Sequence, residues 1–311
     1  MDIVKLFNST FSDVAEFAGL GRKFIYYTSA STAQDIIRGE QIWMRSTQVM
    51  NDLNEINHGI CLINQYLCLE SCKLRDVLNN IDDGAFDCFL QYWNLFSRNF
   101  SSEVYIACMS EYDDKFPEGK LSMWRAYGDE NSVAFVFNSN FLLNEWSDGY
   151  PLYSTKVNYD GGKYVPNFLD DLANGISDLE LHPQDLGVLK NMLAWRCGVL
   201  AVSVKHSSFS EESEWRVVAI PSEWAPECKL SFSPEKIGLL PQPVVKLPLR
   251  DDEVHCWNNV SLPKLLHKIL IGPSAFPSVV KQALSLELRN KVHNADDLFS
   301  DTGIPIRQNQ R

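Results

Sequence analysis

Stretches of apolar residues, some alternating with polar residues and some nearly continuous, predict a chain rich in short β-strands. The first stretch combines aromatic and β-branched residues, which favour strands, and the run around residue 106 is so continuously apolar that it predicts a central strand. Pro248 predicts an edge strand, because proline has no N–H group to donate to a neighbouring strand. The predicted strands cover residues 23–29, 41–46, 103–110, 133–137, 153–159, 214–220, 244–249, 268–273 and 304–307.

Apolar residues at helical spacing predict helices between these strands. Ser31 or Thr32 can cap a helix that ends at Gly39, and residues 56–100 predict two helices separated at Asp82-Asp83-Gly84. Further predictions are helices at 121–128, 165–176, 183–200 and 276–292, a break at Gly161-Gly162 and a short amphipathic arm over residues 1–20. Helices inserted between the early strands, without regular alternation, favour an α+β fold. We therefore predict a single domain, residues 1–311, with a helical insert at about 56–100.

Composition narrows the class of protein. The chain has 311 residues, 45% of them hydrophobic, which is enough for a large core. Its net charge of -12 disfavours a nonspecific coat on nucleic acid, although it leaves a local basic groove open. No apolar run approaches the roughly 20 residues of a membrane helix. The 8 cysteines lie mostly in apolar runs without a Cys-x-x-Cys pair, so we expect reduced core cysteines in a soluble cytoplasmic protein that does not bind membranes.

Several common catalytic motifs are missing from the sequence. It contains no phosphate-binding Gly-x-x-x-x-Gly-Lys-Ser/Thr loop, no Gly-x-Gly-x-x-Gly after a strand, no His-Glu-x-x-His and no Gly-x-Ser-x-Gly. The 6 histidines show no spacing typical of metal ligands. We therefore expect no metal. A cysteine–histidine nucleophile pair stays open, because such partners meet in space rather than in sequence.

A short acidic stretch before the strand at 214–220 is the main candidate for chemistry. Alternation along a strand places Glu212, Glu214 and Arg216 on one face. Buried carboxylates need partners, and Arg216 itself, or Lys205 and His206 just upstream, can supply them. An ion-paired strand end without catalytic function explains the same pattern.

Four separated segments together resemble a large, mostly bacterial family, domain of unknown function 2971. The segments are Ile25-Tyr26-Tyr27-Thr28-Ser29, Asn51-Asp52-Leu53-Asn54-Glu55, Met123-Trp124-Arg125-Ala126-Tyr127-Gly128 and Lys205-His206 through Arg216. Ile269-Leu270-Ile271-Gly272-Pro273 and Ile304-Pro305-Ile306-Arg307 also fit. The resemblance covers nearly the whole chain.

The order of these segments is also similar to the three-part signature of ADP-ribosyltransferases. That resemblance implies a split mixed β-sheet core with helical insertions and NAD in the cleft. It makes Glu214 the catalytic carboxylate and Glu212 the group that orients or deprotonates the acceptor. The residues implied to bind NAD are Tyr26, Tyr27, Thr28, Asn51, Ser110, Trp124, Arg125, Tyr127 and Arg216.

Three of these positions have specific implied roles. Tyr127, with Trp124, would stack on the nicotinamide ring, and Tyr26 would take the first-motif position. That position usually holds His or Arg, and a phenol cannot pair with phosphate as Arg does. Arg125 or the loop at 111–120 would then supply the phosphate contacts. Each residue also has a structural explanation: Tyr26 as a core aromatic, Trp124 and Tyr127 as a helix face packed on the sheet, and Asn51-Asp52 as a helix cap.

The resemblance implies an NAD-dependent ADP-ribosyltransferase toxin in phage defence, restrained by an antitoxin protein. The implied acceptor is RNA, slightly favoured over protein. Two alternatives stay open: an NAD glycohydrolase, with water as acceptor, and a noncatalytic nucleotide-sensing or interaction module. On the first hypothesis, Glu214→Gln abolishes turnover and leaves thermal unfolding nearly unchanged.

Overall fold

A computed structural model describes residues 16–17, 19–50, 55–128, 130–139, 152–223, 230–252 and 259–305. In this part of the chain, one sheet contains β1 (Lys23–Ser29), β2 (Gln41–Ser46), β3 (Tyr105–Tyr112), β4 (Asn131–Asn138), β5 (Leu152–Lys156), β6 (Glu214–Ala219), β7 (Ser231–Ile237), β8 (Leu240–Pro248), β9 (Leu266–Ser274) and β10 (Phe299–Asp301). The α-helices are α1 (Ala30–Gly39), α2 (Glu55–Leu67), α3 (Lys73–Ile81), α4 (Ala85–Glu103), α5 (Leu121–Tyr127), α6 (Gly161–Ser177), α7 (Leu186–Val202), α8 (Leu262–Leu265) and α9 (Pro277–Leu288).

The sheet is mixed. Its strands follow the order β10-β9-β4-β1-β3-β2-β8-β7, and β6 pairs with both β3 and β5. β10 is parallel to β9, and the other pairs are antiparallel. Helices lie between these strands in the sequence without a regular alternation. The fold is therefore α+β, as the sequence predicts.

β3 is the central strand, and the sheet divides beside it. β1 and β2 both pair with the same edge of β3. The pairing with β1 ends where Ile25 lies opposite Ser110, and the pairing with β2 begins where Arg45 lies opposite Ile106. β1 and β2 therefore separate between these two pairs, and we call this opening the fork. On its other edge, β3 pairs with β6 over Tyr105–Ser110.

The two faces of the sheet pack against different cores. Alternation along β3 directs Tyr105, Ala107 and Met109 into a core that also includes residues of α1 and α9. Ile106 and Cys108 face the opposite side, where α2, α3, α4, α6 and α7 form a helical lobe. A smaller core, built on Trp124 and its neighbours, holds α5 against that same side. The helical lobe and α5 therefore lie on one side of the sheet, and α1 and α9 lie on the other.

Several helix boundaries differ from the prediction, and three of the differences concern how a helix begins or ends. Residues 55–103 form three helices rather than two, because the chain breaks between Leu67 and Lys73 and again at Gly84, whose φ of 78° is accessible to glycine. Gly161-Gly162 begins α6 instead of breaking the chain. The N-cap of α1 is Ser29 rather than Ser31 or Thr32.

Strand predictions fail in two places near the sheet edges. β8 is not an edge strand, because β7, which the sequence pattern did not predict, pairs along it. Pro248 is tolerated there because it is the last residue of β8. Near the C-terminus, the strand is β10, and Ile304 and Pro305 of the predicted strand lie in irregular structure.

Ser29→Ala is expected to lower the free energy of unfolding by about 1 kcal/mol, the usual cost of losing an N-cap. The Ser29 Oγ accepts a hydrogen bond of 3.1 Å from the backbone N–H of Thr32. Urea denaturation of the wild type, Ser29→Ala and the control Ser31→Ala measures the effect. A larger loss in the control would show that the cap is assigned to the wrong serine.

Six cysteines lie in the described part of the chain, and none of them forms a disulfide. Cys72 and Cys197 are buried as predicted. Cys61, Cys68 and Cys88 are exposed, so the prediction of core cysteines is wrong for these three. No helix among the described residues is long and apolar enough to span a membrane.

Candidate functional site

A cavity of about 300 Å³ lies at the fork. We call it the fork cavity. It brings together parts of three strands, α5 and the chain leading into β6. Its lining residues are Ile25, Tyr26, Tyr27, Trp43, Arg45, Met50, Ile106, Ala107, Cys108, Met109, Ser110, Met123, Tyr127, Lys205, Phe209, Glu212 and Glu214.

Glu214 is the first residue of β6, and its carboxylate is held by two cations. One oxygen accepts from Arg216 Nε at 2.9 Å, and the other accepts from Lys205 Nζ at 3.0 Å. These three side chains are almost inaccessible to solvent, with 3%, 0% and 4% of Glu214, Arg216 and Lys205 exposed. Arg216 also donates from Nη1 to the carbonyl of Val202 at 2.5 Å. The sequence therefore identified both cationic partners of Glu214.

The electrostatic environment keeps Glu214 ionised. Burial alone would raise the pKa of this carboxyl, but the charge and hydrogen bond of Arg216, together with the charge of Lys205, lower it to about 2. Glu214 is consequently a carboxylate across the physiological pH range.

Glu212 is the second carboxylate of the fork cavity, and its environment raises its pKa, whereas that of Glu214 is lowered. One oxygen accepts from Lys205 Nζ at 2.7 Å, and the other accepts from the Tyr127 hydroxyl at 3.0 Å. Burial raises the pKa of this carboxyl despite the contact with Lys205, and the charge of Glu214 adds to the effect. The two carboxylates thus share Lys205 and differ in proton affinity.

The local backbone explains how Glu212 and Glu214 come to face the same cation. Ser207–Glu212 form a 3-10 helix, and Ser213 then adopts a left-handed conformation with φ of 46° before β6 begins. The prediction of one continuous strand face through Glu212 is therefore wrong in its local structure. The turn at Ser213 nevertheless brings the Glu212 side chain to Lys205.

Residues after β5 hold this segment from the other side. The backbone N–H of Glu214 donates to the Tyr159 hydroxyl at 2.9 Å, and the backbone N–H of Lys205 donates to the carbonyl of Asn158 at 3.0 Å. Burial raises the pKa of Tyr159, and the charges of Glu214 and Glu212 add to the effect. Tyr159 therefore stays a neutral phenol that positions β6.

Tyr26 and Tyr27 line the fork cavity from β1. Burial raises the pKa of each phenol to about 12, and the neighbouring Cys108 adds to the shift at Tyr26. Tyr26 is half-buried and also packs on the core that includes α1, in agreement with its structural explanation. The Tyr27 hydroxyl accepts from the backbone N–H of Lys120 at 2.9 Å. Both rings are neutral walls of the cavity at physiological pH.

Ser110 and Tyr127 line the cavity together with Glu212 and Glu214. Ser110 is buried on β3, directly opposite Glu214 in the strand pairing. Tyr127 is 38% exposed, and its hydroxyl reaches Glu212 from α5.

Other residues that the resemblance implies do not line the cavity. Trp124 is 2% exposed and donates from Nε1 to the carbonyl of Glu118, and a side chain at Gly272 would collide with its ring. It is a core residue, in agreement with its structural explanation. Arg125 is exposed outside the cavity, and Thr28 is buried away from it.

Three further predictions concern the site and its surroundings. Arg216 lies behind Glu214 and does not line the cavity. The loop at 111–120 binds the chain before β6, since Lys120 Nζ donates to the carbonyl of Glu211 at 2.7 Å. Asn51 lies outside the described residues.

Some residues at the site have little or no signal in the sequence. The sequence indicates Lys205 only as an ion-pair partner, but its Nζ contacts both carboxylates and also lies 4.8 Å from the Phe209 ring centroid. Trp43 and Arg45 alternate with buried residues along β2, and this alternation was the available signal that they share one face. Tyr159 had no signal, because its contact with Glu214 depends on the fold.

Burial of the ion pairs changes the expected behaviour of Glu214→Gln. Without the Glu214 charge, Arg216 and Lys205 stay buried with Glu212 as the remaining nearby carboxylate, and breaking a buried pair is strongly destabilising. We therefore expect this variant to unfold at a lower temperature than the wild type, rather than nearly unchanged.

Residues 123–217 match a family described as protein of unknown function (DUF2971). The matched part is less than half of the chain. It begins in α5 and ends in β6, so it includes Tyr127, Lys205, Glu212 and Glu214 and leaves out the β1 and β2 walls of the cavity. The match supports the resemblance to this family that the sequence motifs indicate. No curated protein and no solved structure gives a significant match.

Proposed function

We propose that this protein is an ADP-ribosyltransferase that binds NAD at the fork cavity and transfers ADP-ribose to a macromolecule. One observation carries the proposal: Glu212 and Glu214, two carboxylates with oppositely shifted pKa values, share Lys205 on one wall of a cavity lined by tyrosines. Paired carboxylates with separated pKa values are the usual means of dividing acid–base and electrostatic roles in glycosidic chemistry.

Glu214 supplies the electrostatic part of the proposed chemistry. When the bond between the ribose C1′ and the nicotinamide nitrogen breaks, its electron pair stays on nicotinamide, which leaves neutral, and positive charge develops at C1′. A carboxylate fixed in a water-poor site stabilises charge where it develops without having to reorganise. Arg216 and Lys205 hold Glu214 in this ionised state.

Glu212 is the proposed base. An acceptor hydroxyl or amine forms the new bond to C1′ and must lose a proton, which the Glu212 carboxylate can accept. Its raised pKa makes it a better proton acceptor than an ordinary glutamate. The Tyr127 hydroxyl, which donates to Glu212, holds the carboxylate in place.

The size of the cavity fits one half of a dinucleotide. Its volume of about 300 Å³ is at the lower end of small-molecule pockets, which range over about 300–1,000 Å³. Aromatic rings such as Tyr27 and Tyr127 provide the apolar faces against which a nicotinamide ring packs. The separation of β1 and β2 at the fork is compatible with the split sheet that the resemblance implies.

For the biological role, we propose a toxin in phage defence that modifies RNA and is restrained by an antitoxin protein. The support is the resemblance given by the sequence motifs. The net charge of -12 favours a protein acceptor instead. The test must therefore detect modification of RNA and of protein.

Labelled NAD tests the proposal directly. Purified protein is incubated with NAD labelled in its adenylate half, together with total RNA and a protein extract in separate reactions. Label on RNA or protein supports the transferase, with RNA the expected acceptor. Free ADP-ribose as the main product would support the glycohydrolase, and unchanged NAD in every reaction would contradict both activities.

The pH dependence tests the role of Glu212. As a base, Glu212 must be ionised, so we expect kcat/KM to rise with pH through a pKa above the ordinary range of glutamate. Glu212→Gln should lower kcat/KM by roughly 10²–10⁴-fold and remove that rise.

Glu211→Gln is the matched control, because Glu211 is exposed and lies outside the cavity. It should keep the profile of the wild type. A wild-type profile in Glu212→Gln would show that another group is the base.

One observation favours a noncatalytic binding module as a second candidate. Both oxygens of Glu214 already bind cations, and only 3% of the residue is exposed, which is also the arrangement of a purely structural ion pair. A module of this kind binds NAD or a related nucleotide without consuming it. Calorimetric binding of NAD that persists for hours without release of nicotinamide would support it.

A further inference from the structure

We propose that Arg45 forms a phosphate-binding subsite at the β2 end of the fork cavity, which holds the pyrophosphate of a nucleotide ligand. The proposal deepens the proposed function and rests on it for the identity of the ligand as NAD. It concerns binding alone, so it can be tested even if no turnover occurs.

Arg45 is positioned by neutral groups. Its Nε donates to Gln242 Oε1 at 3.3 Å, and its Nη2 donates to the carbonyl of Val49 at 3.1 Å. Gln242 is itself buried, at 4% exposure. These contacts fix the plane of the guanidinium but do not neutralise its charge.

Among the described residues, no carboxylate lies within ion-pair distance of Arg45, and no group in this part of the chain accepts a hydrogen bond from Arg45 Nη1. The other cations at the cavity differ, since Arg216 and Lys205 are paired with Glu214 and Glu212. Within the described part of the chain, the paired groups balance each other and Arg45 adds a positive charge without a carboxylate partner to the cavity lining. Such a site favours an anion.

Strand geometry separates Arg45 from the carboxylates. Arg45 pairs with Ile106 on one edge of β3, whereas Glu214 pairs with Ser110 on the other edge. With neighbouring strands ~4.8 Å apart and a rise of ~3.4 Å per residue, the two backbones are roughly 16 Å apart. Both side chains reach into the same cavity. The space between them suits a ribose and the phosphates attached to it.

The chemistry of the neighbours also suits a nucleotide. Trp43 precedes Arg45 by two residues on β2, so both side chains lie on the same face and line the cavity. The Trp43 indole adds an apolar wall to the cavity that Arg45 lines. An apolar surrounding strengthens a hydrogen bond between a guanidinium and an anion. A guanidinium presents parallel N–H groups that match phosphate oxygens. This subsite takes the role that the resemblance assigned to Arg125.

Calorimetric titrations with two ligands test the subsite. ADP-ribose carries the pyrophosphate, and nicotinamide riboside carries none. Arg45→Gln should weaken ADP-ribose binding by roughly 10- to 100-fold, the range expected for hydrogen bonds to a charged group, and should leave nicotinamide riboside binding unchanged. Arg45→Lys should restore only part of the affinity, since it keeps the charge and loses the paired geometry.

Arg125→Gln is the matched control, because it removes the same charge from an exposed position outside the cavity. It should bind both ligands like the wild type. The subsite is disproved if Arg45→Gln binds ADP-ribose normally, if it loses both ligands to the same degree, or if the wild type binds no ADP-ribose.

Failure of the Arg45 subsite and failure of the transferase proposal give different results. If ADP-ribose binding depends on Arg45 but NAD is never consumed, the subsite stands and the transferase proposal fails. If Arg45→Gln consumes NAD with an unchanged KM, the transferase proposal stands and the subsite fails.

Discussion

Arg216→Met is expected to lower the free energy of unfolding by about 3–5 kcal/mol, because it leaves the buried Glu214 carboxylate without its main partner. Arg216 is fully buried and makes hydrogen bonds to Glu214 and to the carbonyl of Val202. Lys205 stays near Glu214 but is shared with Glu212. Chemical denaturation of both proteins at neutral pH measures the loss.

A double variant separates the ion pair from the packing of the two side chains. Glu214→Leu with Arg216→Met removes both charges and fills most of the same volume, and exchange of a buried pair for apolar residues is often close to neutral. The double variant should therefore be more stable than the sum of the single effects predicts. Strict additivity would show that the pair contributes little.

Acid unfolding gives an independent check with a defined sign. The folded-state pKa of Glu214 is about 2, below the ordinary value of 4.5. Its contribution to stability is therefore present above pH 4.5 and is lost as the pH falls through about 2. Arg216→Met removes the largest cause of the lowering, so Glu214 should contribute less to the acid-induced loss, and the difference in stability between the wild type and the variant should narrow as the pH falls from 4.5 toward 2.

Much of the sheet could be predicted because its strands have strong local patterns. The apolar run that became β3 and the aromatic run that became β1 need no long-range information to be recognised as strands. β7 was missed because most of its residues are exposed, and Pro234 argues against a strand. It exists because it pairs along the whole of β8, which is a contact that local sequence cannot show.

The candidate site also contains some residues that local sequence indicates and others that only the fold brings together. Glu214 and its cations lie within 12 residues of one another, from Lys205 to Arg216, so strand alternation and charge could suggest their contact. Tyr127 was found through a motif. Arg45 reaches the cavity only because β2 and β6 flank the same strand. Trp124 lies in the core and does not line the cavity, and the sequence could not show this because an aromatic residue in a motif gives the same signal whether it contacts a ligand or the core.

Glu214→Gln is expected to lower kcat for NAD cleavage by at least about 10²-fold, the cost of removing one preorganised electrostatic contact to a transition state. Glutamine keeps an oxygen that can accept from Arg216 Nε, so the geometry of the site is largely preserved. It carries no negative charge to stabilise the developing charge at C1′. Single-turnover assays with labelled NAD measure the loss.

Destabilisation must be separated from this loss of catalysis. Trp93→Phe is the control, because Trp93 lies buried in the helical lobe, outside the fork cavity. The substitution removes the hydrogen bond from Trp93 Nε1 to Asn64. Both variants are assayed at a temperature where circular dichroism shows them folded. Trp93→Phe should keep nearly full activity at comparable instability, because it changes stability without changing the charge at the cavity. If folded Glu214→Gln cleaves NAD at the wild-type rate, the carboxylate is a structural ion-pair partner and the catalytic role assigned to it is wrong.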